Sequence, residues 1–236
     1  MKTEIVIPES LSEITLAQYQ SFIANCKDLD GDLLKQRTVE HFCAVPLSQV
    51  LLIKLKDVND IAEHIDAIFS VEKELVTTFK IKGIEFGFIP DIENISWGEY
   101  IDLDNYVNDW ESMHKAMAVM YRPITEKIKD QYLIEDYEGS DKYSEIMKLA
   151  PLDAALGALV FFYDLGSELL RASLLYLTKQ VKEEISQNSV NSINNGDGIA
   201  QYITSLEEIS EDLKKSQSTN LLQYLHYSPL KLRKTE

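Results

Sequence analysis

Polar and apolar positions along this chain switch between a period near two and a period near three and a half, and the switches mark its expected elements. Ile5-Val6-Ile7 is a short apolar run stopped by Pro8, which predicts an edge strand near residues 3–7. Ile14-Thr15-Leu16-Ala17-Gln18-Tyr19 then opens a helix expected over 16–25, broken by the acidic stretch Asp28-Leu29-Asp30-Gly31-Asp32. A second helix is expected over 39–45. Pro46 stops it, because the residue before proline is pushed out of the α region. From Asp57, read as an N-cap, Val58, Ile61, Ile65, Ile68 and Phe69 recur at three and four, the spacing of one buried helix face.

Thr77 to Ile89 reads differently. Phe79, Ile81, Phe86 and Phe88 flank Lys82-Gly83, which predicts a hairpin near 78–89. After Pro90 a helix begins at Trp97, with Asp102, Asp104 and Asn105 as an expected interruption. The next helical run, 106–121, is closed by Arg122-Pro123. Lys129 to Gly139 reads as a loop with an extended Tyr132-Leu133-Ile134, followed by a helix around 143–149. Leu152 to Ile185 is the longest helical pattern, ~50 Å at 1.5 Å per residue. Gly157 and Gly166 weaken it by roughly 1 kcal/mol each but suit close packing. Asn188 to Gly198 is rich in Asn, Ser and Gly and reads as a linker. A polar helix over 199–215, a short helix over 221–227 and the basic run Lys231-Leu232-Arg233-Lys234 complete the chain. The expected fold is mainly α with a small β component, a helical bundle of three parts: 1–76, 77–187 and a polar linker and tail, 188–236.

One pattern occurs twice. Ile7-Pro8 and Thr15/Gln18 are matched by Ile89-Pro90 and Ser96/Glu99, each a Ser/Thr-x-x-Glu/Gln capping box with a staple pair, Ile14 with Tyr19 and Ile95 with Tyr100. Each box leads to a proline stop, Val45-Pro46 and Arg122-Pro123, and then to an apolar helix. Two related strand-helix-helix-helix modules would explain this, and so would independent use of common punctuation.

Composition narrows the picture. A net charge of −16 argues against broad phosphate-backbone binding, which needs clustered Lys and Arg, and against adhesion to anionic lipid. No run approaches the ~20 apolar residues of a membrane span. Met1-Lys2-Thr3-Glu4 has no apolar signal region, so a reducing cytoplasm is expected, with Cys26 and Cys43 as buried free thiols.

Candidate chemistry is sparse. His41, His64, His114 and His226 form no paired ligand spacing, so zinc is not expected. Asp28, Asp30 and Asp32 resemble the opening of an EF-hand loop, but Leu33 and Val39 stand where glycine and glutamate are needed, which leaves an acidic turn. Glu135-Asp136-Tyr137-Glu138 is a local acidic cluster. No phosphate-cradling loop or nucleophile elbow occurs, so neither catalytic, cofactor-binding nor metal residues are assigned, and an enzyme is not expected. The stripes Tyr106, Trp110, Met113, Met117, Met120 and Leu159, Phe162, Tyr163, Leu169 suit either core faces or adaptable partner surfaces.

Trp97-Gly98-Glu99-Tyr100-Ile101-Asp102-Leu103-Asp104, then Met117-Ala118-Val119-Met120-Tyr121-Arg122-Pro123-Ile124, together with Gly157-Ala158-Leu159-Val160-Phe161-Phe162, is similar to helical proteins of tailed-bacteriophage structural gene clusters. The first half resembles tail-assembly chaperones. The resemblance spans roughly residues 84–178 and implies virion morphogenesis without catalysis. It implies an acidic chaperone that binds tape-measure or tail-tube subunits in the host cytoplasm. The alternative is a neck-ring or internally packaged virion protein. Implied partners are other phage structural proteins and further copies of the chain, with no sequence-specific nucleic acid and no membrane.

Overall fold

The computed structural model describes residues 5–129 and 131–187, together with Thr204. The chain divides into two compact units at Leu159–Val160. Architecture is mainly helical with one small antiparallel sheet.

In the first unit, α1 (Leu16–Cys26), α2 (Gly31–Phe42), the single turn α3 (Leu47–Val50) and α4 (Leu55–Phe69) form a helical layer. The acidic stretch is a turn, as expected. Gly31 takes the left-handed conformation there at φ +54, so α2 starts eight residues before the expected Val39. Its buried side is Leu34, Thr38, Val39 and Phe42, a three-and-four spacing diluted by Lys35, Gln36 and Arg37. Ala44 is left-handed at φ 51, and Val45 N–H donates to Glu40 O at 3.2 Å, a Schellman closure that ends the helix before Pro46 acts. On α4 the expected face is buried at Val58, Ile61, Ile65 and Ile68, but Lys54 is the N-cap. Asp57 lies in the first turn, where the helix dipole favours a carboxylate.

The hairpin is as expected. β1 (Thr78–Ile81) pairs with β2 (Ile84–Phe88), and Ile81 faces Ile84 across Lys82 and Gly83. Both turn residues have positive φ, 50 and 85, the two-residue geometry that matches strand twist. Beyond it, α5 (Trp97–Tyr106) is continuous through Asp102 and Asp104, and the break falls later, over 107–112. There the Asp109 carboxylate accepts the Glu111 and Ser112 amides at 3.2 Å each, so a local Asp turn competes with the helix. The run restarts as α6 (Met113–Met120), whose Met113, Ala116, Met117, Val119 and Met120 are all fully buried. The methionine stripe is therefore core.

Two expectations about strands fail. Residues 5–8 form no ladder, with Val6 76% exposed, and residues 3 and 4 lie outside the described residues. Arg122-Pro123 does not close a helix but lies inside β3 (Tyr121–Ile128). Sheet order is β1-β2-β3-β4, with β4 at Gln131–Ile134. Phe88, Gly87 and Phe86 face Tyr121, Arg122 and Pro123, whereas Ile124 onward pairs with β4 through a register shift at Ile124/Glu126. Pro123, lacking an amide hydrogen, occupies the point where β3 changes partner, and its carbonyl accepts Glu135 N–H at 2.9 Å. The parallel between the two prolines ends here: one joins two helices and the other sits in a strand.

Tyr132 of β4 lies over β2, where its hydroxyl donates to Phe88 O at 2.9 Å; a Cβ on Gly87 would come within 2.5 Å of its ring. After α7 (Asp141–Met147), helix α8 (Leu152–Gln187) starts in the first unit and continues into the second, where the described residues from Val160 are its remaining turns and Thr204. Gly157 has the expected packing role, since a Cβ there would run into the carbonyl oxygen of Glu74. Leu16 and Ala17 amides donate to Ala150 O and Lys148 O at 2.9 and 2.8 Å, and Leu152 N–H to Ile14 O at 2.8 Å. These bonds stitch the chain before residue 77 to that after it. The expected linker over 188–198 and the basic run 231–234 lie outside the described residues, as do the expected helices over 199–215 and 221–227 apart from Thr204.

Candidate functional site

Three regions of the first unit place side chains that could engage another molecule. The first is built on α5. Its inward side is Glu99 and Leu103, both buried, and its outward side is Trp97, Tyr100 and Ile101, 74, 50 and 41% exposed. Trp97 and Tyr100 stack at 5.4 Å between centroids, so two large rings are held in one arrangement on the surface. Tyr100, which the spacing pairs with Ile95 as a staple, is half exposed and stacks on Trp97.

Beneath this face lies a polar clamp. Glu99 Oε2 accepts Ser96 N–H at 2.7 Å, and Oε1 accepts Arg122 Nη2 at 2.7 Å, with both side chains at least nine-tenths buried. The Arg122 guanidinium lies 5.5 Å from the Tyr137 ring centre, while its Nε and Nη1 are buried with no hydrogen-bond partner among the described residues. Tyr137 donates its hydroxyl to the Asp102 carboxylate. Burial, then Asp102, pushes that phenol well above its ordinary range. Glu135 accepts from Lys142 at 2.8 Å and from the Tyr143 hydroxyl; the Lys142 bond, then that of Tyr143, holds its carboxyl below the usual value. Lys142 also reaches Glu138 at 2.7 Å. Glu99, Asp102, Glu135 and Glu138 therefore each meet a cation or a phenol, and the cluster ties α5 to β3 and to the segment before α7.

The second region is the corner between α3 and α4. Leu51, Leu52 and Leu55 are 61, 84 and 66% exposed, and Leu51 and Leu55 line a cleft of about 200 Å³ together with Lys35 and Asn59. The third is a groove of about 680 Å³ between the turn at Glu9–Ser12, the end of α4 and the strap from Val71 to Val76, with Asp153 on its wall.

Residues singled out in the sequence are dispersed. His41 is half-buried on α2 with its ring against Phe22, and burial lowers its pKa. His114 contacts the Gln20 amide at 3.2 Å through Nδ1; that amide also donates to Trp110 O at 2.6 Å, which makes Nδ1 the acceptor. Burial lowers its pKa as well. His64 Nε2 donates to Pro8 O at 3.1 Å, and His226 lies outside the described residues. Cys26 and Cys43 are buried free thiols, pushed up to about 11 by burial. Asp30 occupies the N-cap position of α2 without a side-chain cap bond, and Asp32 lies 3.9 Å from Lys35. Among the described residues, no group of three His, Cys, Asp or Glu is gathered as metal ligands, and no helix is long and apolar enough to cross a membrane.

Sequence reasoning passed over Arg122, read as the end of a helix, and the ionic partner of Glu99, read only as a cap. The groove was missed because Glu72-Lys73-Glu74 looks like any polar linker. No protein-family model, no curated protein and no solved structure matches this chain.

Proposed function

We propose that this chain is a non-enzymatic assembly factor of tailed-phage virions, a tail-assembly chaperone that holds tape-measure or tail-tube subunits before they assemble. The observation that carries this reading is the outward face of α5. The motif on which the resemblance rests, Trp97 to Asp104, presents Trp97, Tyr100 and Ile101 to solvent rather than to the core. Exposed aromatic residues on a rigid helix make effective anchors for protein partners, because they bury large area at little entropic cost. The buried Glu99–Arg122 pair beneath them holds the helix in place. A chain of net charge −16 also stays soluble and avoids nucleic acid while it waits for a partner.

Co-expression with tape-measure and tail-tube subunits tests the reading. The wild-type chain co-purifies with one of them, and Trp97→Ala with Tyr100→Ala lowers the affinity by at least about tenfold, as loss of central anchors does. Mass spectrometry of purified virions separates the chaperone from a neck-ring or internally packaged protein. A chaperone is absent from the particle, and stoichiometric recovery of this chain would overturn the reading in favour of a virion component.

A further inference from the structure

The groove at the end of α4 has a chemistry of its own. Leu11 and Ile68 give it an apolar floor, and Glu9, Glu72, Glu74 and Asp153 bring four carboxylates to its wall. Its one lysine is already engaged: the Lys73 ammonium donates to the carbonyls of Phe69 and Val71 where α4 ends. No described lysine or arginine pairs with any of the four carboxylates. Burial also holds the Asp153 carboxyl above its ordinary value, which a cation drawn alongside it would reverse.

We propose that this groove is a docking site for a partner polypeptide segment in which lysine or arginine alternates with apolar residues. Charge complementarity selects the cations, and the apolar floor selects their neighbours. A long basic side chain satisfies both demands by itself, laying its methylene stem on Leu11 and Ile68 while its head meets a carboxylate. A cavity of about 680 Å³ takes a few side chains of an extended segment, and a whole helix would not enter it. The site is separate from the α5 face and stands or falls without it.

The test is fluorescence anisotropy of the full chain with a labelled acetyl-Leu-Lys-Leu-Arg-Leu-Lys-amide peptide at about 150 mM salt, where long-range attraction is screened. The double variant Glu72→Gln/Glu74→Gln weakens binding at least about tenfold, and Ala67→Arg, which places a cation on the groove wall, weakens it as strongly. Asp104→Asn/Glu126→Gln, two exposed carboxylates on α5 and β3 that do not line the groove, removes the same charge and changes binding by less than about twofold. Equal losses from the groove and control pairs would show only general attraction to an acidic chain and overturn the proposal. So would an unchanged affinity in Ala67→Arg with a native circular dichroism melt. A chain ending at Pro229 binds the peptide as the full chain does. If it binds several-fold tighter, the occupant is the chain's own Lys231–Lys234 run and the partner assignment falls.

Discussion

The two capping boxes use one motif in two electrostatic settings. At α1, Gln18 Oε1 accepts Thr15 N–H at 2.8 Å, while its amide donates to His41 O at 3.1 Å on α2. That neutral side chain offers both an acceptor and a donor, and its second partner is a backbone carbonyl. At α5, Glu99 performs the same cap but directs its other oxygen to Arg122 on β3. A carboxylate can only accept, so its second partner had to be a donor, and in a buried site the full charge had to be matched. Gln18 is half-buried and Glu99 is 5% exposed. The glutamate version thus carries more at stake for the same local geometry. A buried pair gains little over an apolar one, yet losing one partner strands the other charge.

Five variants break or sharpen this contrast. Glu99→Ala has the largest effect, about 3–5 kcal/mol in urea unfolding, because it leaves the Arg122 guanidinium buried without an anion. A loss no greater than that of Gln18→Ala would mean the pair is solvated in practice. Gln18→Ala comes next at about 1–2 kcal/mol, the back-bond of the cap plus one hydrogen bond to His41 O. The double change Glu99→Ala/Arg122→Met is expected to be milder than Glu99→Ala alone, with about 1 kcal/mol lost, since both charges leave together and only the cap is missing. Strict additivity of the single changes would argue against direct coupling. Thr15→Ala and Ser96→Ala are expected to be smallest and alike, about 1 kcal/mol each, because each hydroxyl accepts one amide at 3.3 Å in its own box. A clear difference in their thermal midpoints would show that the boxes differ at the hydroxyl too.

The same contrast shows how much was legible beforehand. Thr15/Gln18 and Ser96/Glu99 could be read from spacing because a capping box is closed within four residues. The hairpin at Lys82-Gly83 and the α4 face were legible for the same reason, since both are periodic and local. Arg122-Pro123 was misread because proline after a helical run is a good stop signal, and only β2 alongside shows that a strand has begun. Ile5-Val6-Ile7 failed in the opposite sense: it has strand composition but pairs with no strand among the described residues. The α5 face was half legible. Trp97, Tyr100 and Ile101 share a side by spacing, but apolar spacing alone does not say whether that side meets core or water.

Sequence alone determined the capped starts of α1 and α5, the hairpin turn, the acidic bend before α2 and the long α8 pattern. Each depends on backbone groups and side chains a few positions apart, whose energies hardly change with the rest of the fold. The tertiary structure decided which faces are buried, that β3 follows α6 without a loop, and that Glu99 has a cationic partner 23 residues away. It also gathered Glu9, Glu72, Glu74 and Asp153 around one groove. Those features depend on which distant segments exclude water from one another, and burial is what turns a common glutamate into half of an ion pair.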